Sequence, residues 1–74
     1  DELPQDDALT SYFRCIVYCR KGARTKDFMD DIAAEDALLD CFHKDKSFID
    51  IAANDGYVVE TIFKNAKDRY DYGE

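Results

Sequence analysis

Apolar residues recur at three- and four-residue steps along most of this chain, and no segment alternates apolar with polar in twos. That spacing is the period of an α-helix with one buried face. Val17-Tyr18 and Tyr57-Val58-Val59 are too short to argue for strands. Within 74 residues there is room for one small domain, and 46% hydrophobic residues are enough for a core. With 3 Gly, 1 Pro and no internal period, collagen-like and repeat architectures are excluded. No run approaches the roughly 20 apolar residues of a membrane span. The expected fold is all-α: a compact bundle of four or five short helices around one core. A domain of this size buries only about 60% of its unfolded surface. The expectation is that its five Phe and five Tyr supply the core volume.

Helix boundaries follow from local chemistry. Residues 1–7 hold four acids, one Pro and one Leu, and are expected to be a flexible acidic lead-in whose Asp6 or Asp7 caps the first helix. The helical domain is expected over residues 8–70, with 71–74 frayed. The first helix is placed over Ala8 to Lys21, with Leu9, Phe13, Ile16 and Val17 inward and Tyr12, Cys15 and Cys19 beside them. Gly22 is expected to end it in the left-handed conformation. The second is expected to begin at Thr25 as N-cap and to bury Phe28, Met29, Ile32 and Ala33, continuing through Ala37, Leu38, Cys41 and Phe42. Its phase slips near Glu35 and Asp36, so one helix and two are both open. Ser47 and Asp50 resemble a capping box for a short helix to Ala53 that buries Phe48, Ile51 and Ala52. After the turn at Asn54-Asp55-Gly56, a last helix is expected to bury Val59, Ile62, Phe63, Ala66 and Tyr70.

The order of these features resembles the YozE-type family of small bacterial proteins with a sterile-alpha-motif-like (SAM-like) fold. Ser11-Tyr12-Phe13-Arg14 and Tyr18-Cys19-Arg20 are similar to that family's first helix. Asp31-Ile32-Ala33 with Asp40-Cys41-Phe42-His43-Lys44 is similar to its second helix and following junction, where His43 stands in place of a proline. Ile62-Phe63, Ala66 and Tyr70 are similar to its closing helix. The resemblance covers most of residues 11–70, although the segment between Phe42 and Tyr57 is a few residues shorter than in the family. It implies a compact helical fold without an established activity.

Charge is unevenly placed on a chain of net −7. Residues 8–26 carry Arg14, Arg20, Lys21, Arg24 and Lys26 and no acid, a local +5. Residues 27–40 carry Asp27, Asp30, Asp31, Glu35, Asp36 and Asp40 and no base, a local −6. Two packed helices that offset one another would explain this pattern without any function. Alternatively, the five cations form a partner-binding surface, with protein ahead of nucleic acid because the total charge repels a polyanion. The carboxylates of residues 27–40 could also copy the charge spacing of DNA.

Cys15, Cys19 and Cys41 are too few for a disulfide framework and are expected to be reduced and buried. With His43 they could form a Cys₃His zinc site, but Cys-x₃-Cys with Cys-x-His is not a zinc-finger spacing. Cys–His catalysis would rest on the only histidine, and no third orienting group shows in the spacing. Gly-rich phosphate loops and calcium-loop spacings do not occur. The functional expectation is therefore a non-enzymatic, cytoplasmic interaction module without cofactor or metal, monomeric or weakly dimeric. A secreted helical protein with one disulfide, or an acidic DNA mimic that inhibits a DNA-binding protein, is the alternative.

Overall fold

A computed structural model describes residues 7–73. The first six residues of the expected lead-in and Glu74 lie outside them. The chain forms α1 (Ala8–Thr25), α2 (Phe28–Lys44), α3 (Phe48–Ala53), α4 (Gly56–Thr61) and α5 (Phe63–Asp71). The described residues contain no strand, in accord with the all-α expectation of four or five short helices. None of these helices is long and apolar enough to cross a membrane.

Asp7 caps α1: its backbone is extended and its Oδ1 accepts from the Thr10 N–H at 2.8 Å. The helix then runs past Gly22 to Thr25. Lys26, not Gly22, takes the left-handed conformation at φ 61° and donates its N–H to the Gly22 carbonyl at 2.8 Å. Gly22 lies instead where the neighbouring helix comes close. A Cβ there would lie 2.6 Å from Asp31 Oδ1 and 3.3 Å from Asp30 Cβ, because α1 and α2 converge at this point. Asp27, rather than Thr25, caps α2, accepting from the Met29 N–H at 3.0 Å. Thr25 closes α1 instead, and its hydroxyl donates to Asp30 at 3.0 Å. With a connection of two residues the helices fold back antiparallel, so Gly22 meets Asp31 near the turn and Ser11 meets Asp40 at the far end.

This hairpin overturns most of the expected inward face of α1, of which Ile16 alone packs against the core. The buried residues are Ala8, Ser11, Cys15, Cys19 and Gly22, whereas Leu9, Phe13 and Val17 face solvent. Those five small residues recur at three- and four-residue steps. They let α1 approach Ala34, Ala37 and Cys41 of α2 closely, since axial separation follows the size of the side chains between helices. The start of α2 is corrected in the same way. Phe28, Met29 and Ile32 are exposed, and its buried stripe begins at Ala34 and runs through Ala37, Leu38, Leu39 and Cys41 to Phe42. α2 is one uninterrupted helix.

Bulk enters the core from the other helices. Phe42 is fully buried and meets the rings of Phe63 at 6.1 Å and Tyr70 at 5.9 Å, both edge-on. Leu38, Val58, Ile62, Ala52 and Ala66 complete the cluster. Phe42 alone among the Phe and Tyr residues is fully enclosed, and Tyr12, Tyr18, Phe48, Phe63 and Tyr70 pack against the core partly buried, so six of the ten aromatics supply its volume. In the short helices Ile51 and Val59 face outward, while Ile49 and Val58 turn in. The Ser47–Asp50 capping box does not form; Asp45 Oδ1 accepts from the Ser47 N–H at 3.1 Å and the Ser47 hydroxyl at 2.7 Å. The expected last helix is broken at Ile62, whose φ is −121°. Just before the break, the Thr61 hydroxyl donates to the Tyr57 carbonyl at 2.9 Å and the Val58 carbonyl at 3.3 Å, a local competition that weakens helix continuation.

A polar clamp holds the open end of the hairpin. The buried Ser11 hydroxyl donates to Asp40 Oδ2 at 2.7 Å, and Lys44 Nζ reaches Ser11 at 3.2 Å and Asp40 at 2.6 Å. Burial acts to raise the Asp40 carboxyl, but hydrogen bonds from Lys44 and Ser11 outweigh it and hold the group below its ordinary 3.8. A group whose folded pKa is depressed adds stability above that ordinary value and loses it as pH falls through the folded one. Asp40→Asn should therefore flatten the part of the stability–pH curve below about pH 4, read by urea titration across acid pH. An unchanged acid limb would mean that the clamp does not matter.

Candidate interaction face on α1

Because its small residues face inward, α1 turns an apolar ridge to solvent. Leu9, Phe13 and Val17 follow one another at four-residue steps and are 49%, 60% and 61% exposed. Three and seven residues beyond Val17, Arg20 and Arg24 prolong the same stripe to the end of the helix. A single solvent-facing track thus has an apolar middle and a cationic end.

The five expected binding cations do not converge on one point. Arg20 and Arg24 lie on the ridge line, with Arg20 beside Ile16, Asp55 and Tyr57. Arg14 borders a shallow depression against Asp36, Asp40 and Lys44 of α2, and its charge helps keep Asp40 ionised. Lys21 reaches Asp30 at 3.8 Å, and Lys26, beyond the helix end, borders a separate cleft with Phe28 and Asp31. Among the described residues, Arg14, Arg20, Arg24 and Lys26 form no ion pair.

The acids of α2 behave differently. Glu35 and Asp36 both accept from the Arg69 guanidinium, at 2.9 and 2.7 Å, which ties α5 to α2. Asp40 is held by Lys44 and Ser11, Asp30 by Thr25 and Lys21, and Asp27 caps its own helix. Across the two helices the opposed charges meet at Lys21 and Asp30, with Arg14 acting on Asp40 without an ion pair. Those of α2 are largely satisfied within the fold, and most of those on α1 are left to solvent.

All three thiols are inside, as their apolar neighbours suggested. Burial, with Asp45 and Asp40 nearby, pushes the Cys41 thiol up to about 12. A hydrogen bond with Cys19, together with burial, raises Cys15. Cys19 is the more acidic of the two, because the Cys15 thiol and the Thr61 hydroxyl, 3.7 Å away, favour its thiolate. Cys19 borders an open cleft of about 610 Å³ that also includes Phe28, Ile32 and Thr61. His43 is exposed, its ring tilted against that of Tyr70 with centroids 5.1 Å apart, so it stands outside the core that holds the thiols. Among the described residues no group of three or more His, Cys, Asp or Glu is arranged to hold a metal.

Sequence reasoning found the cations and missed the ridge between them. The signal was present in the competing stripe Ala8, Ser11, Cys15, Cys19 and Gly22, equally periodic and much smaller. No protein-family model, curated protein or solved structure matches this chain.

Proposed function

We propose that this protein is a non-enzymatic interaction module whose outward α1 face docks an acidic protein surface. The observation that carries this reading is the asymmetry of charge use: Asp30, Glu35, Asp36 and Asp40 of α2 are bonded within the fold, whereas Arg20 and Arg24 prolong an exposed apolar ridge without an ion pair among the described residues. Arg14 and Lys21 flank that ridge, and Lys26 extends the basic region past the helix end. Apolar side chains rimmed by arginine are the ordinary makeup of a protein-binding surface. Three enclosed thiols suit a reducing, cytoplasmic setting. A SAM-like assignment of the five-helix bundle, as the YozE-type resemblance implies, belongs to the same proposal. The DNA-mimic alternative draws less support, since Arg69 and Lys44 interrupt the carboxylates of α2.

A labelled synthetic helix with leucines on one face and glutamates at its borders is the appropriate probe. Fluorescence anisotropy should show binding that weakens at least about tenfold from low to high salt. Arg20→Glu with Arg24→Glu should abolish it. Binding indifferent to both would overturn the reading, and tighter binding of duplex DNA than of the peptide would redirect it to nucleic acid.

A further inference from the structure

We infer that the partner element laid on this face is a helix running antiparallel to α1, with its acids in its own first turn. The pairing rests on the acidic-partner reading proposed above and names the element, its length and its direction. Backbone chemistry selects the element. The described residues contain no strand, and the backbone groups along the middle of α1 are bonded within the helix. An extended segment covering Leu9, Phe13 and Val17 would bury N–H and C=O groups with nothing to bond them. A helix brings its own hydrogen bonds and meets the ridge with side chains alone. The track runs from Leu9 to Arg24, about 22 Å at ~1.5 Å per residue, so the partner needs about four turns.

Direction follows from where the cations stand. Arg20 and Arg24 lie towards the C-terminal end of α1, and the apolar residues of the ridge lie towards its start. The partner must set its carboxylates beside the one and its apolar residues beside the other. Acids stabilise a helix at its N-terminus and weaken it at its C-terminus. Only an antiparallel partner carries them in its own first turn, where the same carboxylates favour its helix and meet Arg20 and Arg24. The backbone dipoles of the two helices also oppose one another in that arrangement. A second feature fixes where the partner's bulk goes. Beside the ridge, Ile16, Arg20, Asp55 and Tyr57 line an open depression of about 530 Å³ between α1 and α4. Asp55 is taken up there by the Tyr12 hydroxyl and the N–H groups of Tyr57 and Val58, so Arg20 is the charge left for a ligand. The depression receives one large apolar side chain between Ile16 and Tyr57, about one turn after the partner's acids.

Two synthetic peptides of about sixteen residues and identical composition test this. The first has glutamates in its first turn, a tryptophan one turn later and leucines continuing the same face; the second is its reversed sequence. By fluorescence anisotropy the first should bind the full chain at least about tenfold more tightly. Its helicity should rise on binding, seen by circular dichroism, since a free helix of this length is marginal. A spin label at its N-terminus should broaden the amide NMR signals of Arg20 and Arg24 and spare Leu9. Val17→Glu should weaken binding at least about tenfold, and Tyr57→Ala about fivefold. Tyr57→Phe keeps the ring and gives up only the bond to the Cys19 carbonyl, so it should bind like wild type. A helical spectrum of each variant separates these losses from misfolding. Equal binding of both peptides, broadening at Leu9, a bound peptide without added helicity, or wild-type binding by Tyr57→Ala would overturn the pairing. So would displacement of the peptide by vesicles of anionic phospholipid, or dimerisation of the chain through the same face. If salt-sensitive binding persists without these preferences, the acidic-partner reading stands and only the pairing falls. If neither peptide binds, both fall.

Discussion

Phe42→Ala should cost about 3–5 kcal/mol of folding stability, the range for emptying a fully enclosed aromatic site. The ring lies between Phe63 and Tyr70, so truncation forfeits two edge-on contacts and opens a cavity between α2 and α5. At the usual ~0.05–0.15 kcal/mol per residue, a chain of this length has only about 4–11 kcal/mol in all. Thermal melting followed by circular dichroism should therefore fall by about 15 °C or more, or lose its cooperative transition. Phe13→Ala, a truncation of the same size on the exposed ridge, should stay within about 0.5 kcal/mol of wild type at low protein concentration. Equal losses at the two positions would mean that α1 sits on the core the other way round.

The second large effect is expected at Asp55. Its Oδ1 caps α4 by accepting from the Tyr57 and Val58 N–H groups at 3.2 and 3.4 Å, and its Oδ2 accepts from the Tyr12 hydroxyl at 2.7 Å. One short side chain thus starts a helix and anchors it to α1. Burial, followed by donation to this carboxylate, pushes the Tyr12 phenol well above its usual value, so the hydroxyl is held protonated. Asp55→Ala should cost about 2–4 kcal/mol, combining a lost cap with a lost bond to a charged acceptor. Asp55→Asn, which keeps a cap and an acceptor, should cost about 1 kcal/mol. Tyr12→Phe added to Asp55→Ala should cost less than the two changes summed, because they remove the same bond. Full additivity in urea titrations would show that the contact does not couple α1 to α4.

What could be read from the sequence was local, and what could not was relational. The Asp7 cap, the turn at Asn54-Asp55-Gly56, the helical period and the interior location of the thiols depend on neighbours within a turn or two, and these matched. Which side of α1 faces in depends on what α2 offers. Leu9, Phe13 and Val17 form the more hydrophobic stripe, yet Ala34, Ala37 and Cys41 reward close approach by small residues. The tight surroundings of Gly22 were hidden for the same reason, since they come from Asp30 and Asp31 on another helix rather than from its own torsion angles. At the candidate site the cations Arg14, Arg20, Lys21, Arg24 and Lys26 were visible as a run. Their dispersal was not, because it depends on Asp30 capturing Lys21 and on the turn carrying Lys26 away.

The narrow seam between α1 and α2 sets a ceiling on volume rather than a floor. Along Ala8, Ser11, Cys15, Cys19 and Gly22, the substitutions evolution must avoid are those that add atoms, whereas in most interiors it must avoid those that remove them. Drift on this helix is therefore free to enlarge its outer side and confined on its inner one. The outward side of α1 can diverge while the fold beneath it stays fixed.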